Sequence, residues 1–265
     1  MRIWTVANQK GGVGKTTAVT SLAGLLAQRG SAVLMVDLDP HGSLTSYCGL
    51  DPESVEPNLY DLFRAQGRGG SGAVSTHPTE VEGLDLLPAS TALATLDRQL
   101  GNRKGMGLVI RRALASLADR YDYTLLDCPP MLGVLMVNAL AACHHLVVPV
   151  QTEFLALKGL ERMVHTLEMI ERSRSDGLAY TIVPTLFDRR TRAATRALEE
   201  LRQRYGERVW QGTIPVDTHF REASRQGLPL TVQQPWSRGS MAFRKLLEHL
   251  LAQEAADAAE VAGHG

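Results

Sequence analysis

The chain has 265 residues, with 28 Lys and Arg against 28 Asp and Glu. Hydrophobic residues make up 44% and charged residues 21%, a globular composition long enough to bury a substantial core. Zero formal charge excludes a protein that coats nucleic acid by bulk charge, but it leaves room for local basic patches.

Residues 2–7 alternate and are β-prone, which predicts a buried strand. A glycine loop follows. Val19, Leu22, Ala23, Leu25 and Leu26 then repeat at helical spacing up to Gly30, a fitting C-cap. Residues 32–36 are an apolar run ending at Asp37, so strand, loop, helix and strand make a βαβ unit with a right-handed crossover. Residues 67–72 read as a flexible loop inside one domain, and the apolar pattern resumes at residues 84–88. A helix is expected over 105–119, strands over 123–127 and 145–150, and a helix over 155–172. A strand over 180–184 and helices over 191–205 and 239–253 complete the pattern. This alternation predicts a doubly wound, mostly parallel α/β sheet with helices on both faces, as a single domain over 1–265. The acidic tail, 252–265, is expected to fray.

Cys48, Cys128 and Cys143 form no C-x-x-C pair and read as reduced core residues in a cytoplasmic protein. The apolar N-terminus is too short for a signal segment. The longest apolar stretch, 131–150, is interrupted by Asn138, His144, His145 and Pro149 and is a poor membrane span. His144 and His145 are read as surface or edge residues, and Trp4, Trp210 and Trp236 as packing residues.

The most informative stretch is Lys10-Gly11-Gly12-Val13-Gly14-Lys15-Thr16-Thr17. The general phosphate-loop pattern needs a glycine where this chain has Gln9, so the strict pattern fails, but the physics survives. Gly11, Gly12, Val13 and Gly14 present backbone N–H groups to a phosphate chain, and the helix starting near Lys15 adds its N-terminal dipole. Lys15 can reach the β- and γ-phosphates, the Thr16 hydroxyl can ligate Mg²⁺, and Thr17 can add a hydroxyl to the groove. A plain glycine-rich turn is the alternative, and the strand before, the helix after and two acids nearby argue against it.

Those acids close two strands, in Asp37-Leu38-Asp39-Pro40 and Asp127-Cys128-Pro129-Pro130. Ligands of open α/β sheets sit at the carboxyl ends of strands, where a carboxylate can hold metal-bound water or orient an attacking one. A turn-forming or helix-capping role is the alternative for each acid taken alone.

The loop, with its extra lysine, resembles the deviant Walker A of the ParA/MinD superfamily of ATPases. That resemblance implies that Lys10 reaches across a nucleotide-sandwich dimer. Asp37 through Thr45 resembles the family's Walker A′ segment, which implies that Asp39 positions the hydrolytic water and lies near the metal. His41 stands where most relatives carry glutamine. Asp127 resembles the Walker B aspartate that holds Mg²⁺ through water, and Gln151-Thr152-Glu153-Phe154 resembles the family's Q-x-E-[YF] segment. Pro88 through Leu93 resembles the family's P-[AS]-S segment, and its continuation, Leu96 through Leu100, is similar to ParA-like proteins encoded near chemotaxis genes. The likeness implies ATP and Mg²⁺ as cofactors, Lys10, Lys15 and Asp39 as catalytic groups, and Thr16, Asp39 and Asp127 at the metal. It also implies an ATP-state homodimer, slow hydrolysis triggered by a ParB-like or chemotaxis-adaptor-like protein, and positioning of a cargo.

Residues 187–210 hold seven Arg against four acids, and residues 98–120 hold six basic residues against one acid. Arg189, Arg192 and Arg196 share one helical face, which suits salt-dependent contact with DNA phosphates; a solvated face is the alternative. The family's P-R-N-x-R stretch is here Pro215-Val216-Asp217-Thr218-His219, so only His219 and Arg221 are placed to compensate. Strand one starts at residue 2, so no helix-turn-helix and no operator-specific repression are expected. The alternatives are a MinD-like membrane-positioning ATPase and a metabolic P-loop ATPase. The tail lacks Lys and Arg, which argues against anionic lipid as a ligand.

Overall fold

The computed structural model describes residues 1–67, 74–96, 106–171 and 177–263. Seven strands form one sheet in the order β3-β4-β2-β5-β1-β6-β7. They are β1 (Arg2–Val6), β2 (Val33–Asp37), β3 (His77–Pro78), β4 (Leu84–Leu87), β5 (Tyr123–Asp127), β6 (His145–Gln151) and β7 (Ala179–Thr185). All neighbours pair in parallel except β3 with β4. Ten helices accompany them among the described residues: α1 (Lys15–Gln28), α2 (Ser43–Tyr47), α3 (Leu59–Gly67), α4 (Val109–Ala115), α5 (Val134–Ala142), α6 (Phe154–Glu171), α7 (Arg192–Tyr205), α8 (His219–Gln226), α9 (Leu230–Gln233) and α10 (Arg238–Gly263).

The strands read as continuous apolar runs because both faces are covered. Successive side chains point to opposite faces. Leu34 and Val36 of β2 therefore join one core cluster with Leu135 of α5 and Leu160 of α6. Val33 and Met35 join the other, with Leu22 of α1 and Phe243 of α10. The register puts Val6 and Asp37 both opposite Asp127, so three central strands end level at their carboxyl edge. That alignment brings the glycine loop after β1 and the two strand-closing acids to one place.

The structure departs from expectation in three places. The segment expected to fray continues α10 to Gly263, and its first turn is anchored. Glu254 accepts from Trp4 Nε1 at 2.7 Å and lies 3.7 Å from Arg2, while Gln253 accepts from Thr181 Oγ1. His145 is buried, not at the surface, because it opens the interior strand β6 and lies 2.9 Å from Thr181 Oγ1. Trp4 and Trp210 are packed as expected, but Trp236 is 80% exposed in the turn before α10. The glycine-rich stretch from residue 68 and the continuation of the Leu96–Leu100 segment lie outside the described residues. No described helix is long and apolar enough to cross a membrane.

Candidate functional site

The loop from Asn8 to Gly14 leaves β1 at the carboxyl edge of the sheet. Gly12 and Gly14 have φ of +72° and +90°, values that L side chains rarely adopt. A Cβ built at either would meet no atom within 4 Å, so the space over the loop is open. The polypeptide is fixed from below. Asn8 Nδ2 donates to Pro149 O at 2.7 Å, and its Oδ1 accepts from Lys10 N at 2.9 Å. Thr185 Oγ1 donates to Val13 O at 2.9 Å, and Val13 is buried. Neither Asn8 nor Thr185 was expected in this role. The polar Asn8 at the end of an apolar strand was a signal for the first, but Thr185 closes β7 and carried none.

α1 begins at Lys15, which is buried and donates from Nζ to Lys10 O at 3.3 Å. Thr16 Oγ1 donates to Asp127 Oδ2 at 2.6 Å. Thr17 lies on the same turn and is partly exposed. Asp127 Oδ1 is buried with no partner among the described groups. Burial pushes the Asp127 carboxyl far above the usual range, and the nearby negative charge of Asp37 adds to the shift. A hydroxyl and an orphaned carboxylate oxygen at a helix N-terminus fit a hard divalent cation. Mg²⁺ is typically held by one or two carboxylates together with substrate phosphates. No group of three or more His, Cys, Asp or Glu among the described residues could hold a metal, and one carboxylate with one hydroxyl leaves room for the water and phosphate oxygens that Mg²⁺ favours.

The second acid segment divides its work. Asp37 is fully buried: its Oδ1 accepts from Asp39 N at 3.1 Å, and its Oδ2 accepts from Thr45 N and Oγ1 at 2.8 Å each. Desolvation raises its carboxyl, and the Thr45 hydrogen bonds oppose that shift. Asp37 thus anchors the turn that presents Asp39. Lys10 is engaged within its own chain. Its Nζ donates to Gln151 Oε1 at 3.3 Å and is ion-paired with Glu153.

The basic helix is sorted by the fold. Arg190 is ion-paired with Asp188, Arg204 with Glu161 and Glu200, and Arg202 donates to Gln211 O. Arg208 donates to Tyr180 Oη. Arg189 lies in the turn before α7, not on the shared helical face expected for it, because the helix starts only after its cap Thr191. Arg192 and Arg196 lie on α7, all three are exposed with no side-chain partner among the described residues, and Ala194, Leu198 and Leu201 are buried on the helix's opposite face. Arg221 is exposed on α8. In the other basic segment, Arg98, Arg103 and Lys104 lie outside the described residues, and Arg120 pairs with Asp85.

A family model described as an AAA domain matches residues 1–180. The sporulation initiation inhibitor protein Soj of Bacillus subtilis is 34% identical over 252 residues, covering 95% of this chain and 98% of its own. The chromosome partitioning protein ParA of Caulobacter vibrioides is 34% identical over 257 residues, covering 96% of this chain and 95% of its own. A cobyrinic acid a,c-diamide synthase structure from Mycobacterium smegmatis, with bound ATP analog and magnesium, superposes with a TM-score of 0.82. It is 33% identical, and the match covers 97% of each chain.

Proposed function

The chain belongs to the ParA/MinD superfamily of P-loop ATPases, and from that premise we propose that it is a nucleotide-dependent dimerisation switch. In this reading it is a cytoplasmic ParA-type ATPase that pairs with a second copy in the ATP state. The dimer binds DNA without sequence preference, associates with the nucleoid and positions a cargo. The cargo is a plasmid or chromosome locus, or a protein assembly such as a chemotaxis cluster. ATP and Mg²⁺ are the cofactors.

One observation carries the reading: the buried, unpartnered Oδ1 of Asp127 beside the Thr16 hydroxyl, at the foot of an open glycine loop. Thr16 and Asp127 would hold Mg²⁺, which when bound neutralises charge on the phosphates. The amides of Gly11–Thr17 and the Lys15 ammonium grip the phosphate chain. Asp39 orients the attacking water. Lys10 leaves Gln151 and Glu153 to reach the second copy's nucleotide. Contacts available only in the ATP state are what make the assembly switchable. Met131, Leu132, Phe154 and Leu155 are exposed apolar side chains just after Asp127 and Glu153, and they support a second copy as the cover of this rim. Arg189, Arg192, Arg196 and Arg221 contact phosphates, and a ParB-like or chemotaxis-adaptor-like protein triggers slow hydrolysis.

The likeness to a named diamide synthase supports a second reading, an ATP-dependent enzyme acting on a small substrate. The cysteines oppose a nucleophilic role in such chemistry. Burial pushes the Cys48 thiol up to about 12 and raises that of Cys128 well above its ordinary range, so neither is an activated thiolate.

DNA co-sedimentation with ATP, with ADP and without nucleotide, across a salt series, tests the switch. Binding only with ATP and lost with salt supports it. Turnover stimulated by a small carboxylic acid but not by DNA favours the second reading.

A further inference from the structure

We propose that His41 is a positioning residue for ATP hydrolysis, holding Asp39 with one carboxylate oxygen occupied and the other free for water. The inference rests on the reading of Asp39 as the water-orienting group. It begins with the turn Asp39-Pro40-His41-Gly42, closed by a 2.8 Å hydrogen bond from Gly42 N to Asp39 O. Asp suits the first position of such a turn, Pro the second and Gly the fourth. Gly42 is further constrained, because at its φ of +62° a Cβ would lie 2.2 Å from Pro52 Cγ. Backbone geometry thus accounts for three of the four residues. The third position is the one whose identity the turn leaves open, and it carries an imidazole.

That imidazole is not there to fill the core, since the His41 side chain is 80% exposed. It folds back onto Asp39, whose side chain is 14% exposed. Asp39 Oδ1 takes two contacts from this one residue: His41 N donates at 3.0 Å, and Nδ1 lies at 2.8 Å. The first can come from any residue, because the amide is common to all. The second needs a side-chain N–H at the place of Nδ1, which sets the neutral tautomer as Nδ1-protonated. Asp39 Oδ2 accepts nothing among the described groups. Two donors on one oxygen stop the carboxylate from rotating and leave a single aimed acceptor, the arrangement that a general-base or water-orienting carboxylate needs.

The test compares steady-state ATP turnover and equilibrium ATP binding, with Mg²⁺, in the full chain and four variants. Asparagine places an amide nitrogen where Nδ1 stands, and glutamine places one where Nε2 stands. His41→Ala should lower kcat about 5-fold with KM unchanged, the size of one lost hydrogen bond. His41→Asn should return kcat to the parent value, and His41→Gln should behave like His41→Ala. A parent-like kcat in His41→Ala, or full rescue by Gln and not by Asn, overturns the inference. Asp39→Ala separates the two levels. If it binds ATP and does not turn over while His41→Ala is normal, only the role of His41 fails. If Asp39→Ala hydrolyses ATP normally, the underlying reading of Asp39 fails and the inference fails with it.

Discussion

The Lys10 ammonium is ion-paired with the Glu153 carboxylate of its own chain, and Gln151 accepts a second hydrogen bond from it at 3.3 Å. The family resemblance sends this lysine across to a second copy, so the internal pair must break before the dimer can close. Both side chains are partly exposed, which limits the pair to the modest energies of surface ion pairs. Glu153→Gln is therefore expected to strengthen ATP-dependent dimerisation by about 5-fold at most. Lys10→Ala is expected to abolish it. Sedimentation velocity with ATP measures both, and equal dimerisation in all three proteins would remove Lys10 from the interface.

The Asp127 carboxyl sets a pH dependence with a definite sign. Its folded-state value is raised from 3.8 to about 8, chiefly by burial. The protonated form is favoured in the folded protein, so the associated stability is present at low pH and is lost as pH rises towards 8. Asp127→Asn should raise the thermal midpoint of the nucleotide-free protein at pH 8, by about 2–4 °C for each kcal/mol, and leave it unchanged at pH 4. ADP with Mg²⁺ should stabilise the parent protein and fail to stabilise the variant through the metal. Parallel midpoint curves for the two proteins from pH 4 to 8 would contradict the buried-acid argument.

Phosphate contacts should follow the sorting of the arginines. Replacing Arg189, Arg192 and Arg196 by Ala should flatten the dependence of log K on log salt by about 1 for each phosphate contact removed. Arg190→Ala and Arg204→Ala should keep the parent slope, because those side chains are spent on Asp188, Glu161 and Glu200. The same slope in the triple variant would move the DNA surface elsewhere.

Glu254 gives a stability prediction remote from the site. It accepts from the indole of the fully buried Trp4 at 2.7 Å. Glu254→Ala leaves that donor without its partner and should cost about 1–3 kcal/mol. Urea unfolding should show a lower midpoint with an unchanged slope. An unchanged midpoint would mean that the last turns of α10 do not hold Trp4.

The order of elements was legible because the apolar runs of β1, β2, β5, β6 and β7 are strong local signals. The phosphate loop was legible because glycine spacing and the Lys15-Thr16 pair are consecutive in the chain. The burial of His145 is not legible, because the sequence does not say that β6 lies inside the sheet. The anchoring of Gln253 and Glu254 is not legible, because an acidic composition looks solvated until Thr181 and Trp4, 250 residues away from Glu254, are in view. The resemblance supplied Asp39 and Lys10, but not what holds them.

What is encoded locally is plain in the chain: the strand and helix periods, the glycine loop, the strand-closing acids, and the equal totals of 28 basic and 28 acidic residues. Which charges are spent and which are free depends on how the chain folds. Arg190 and Arg204 are consumed by carboxylates, Arg189, Arg192 and Arg196 are not, and Asp127 is left buried with an open oxygen. The difference is one of range. Backbone preferences act between near neighbours, whereas pairing and desolvation depend on what parallel strands bring together from more than a hundred residues apart, as with Thr16 and Asp127.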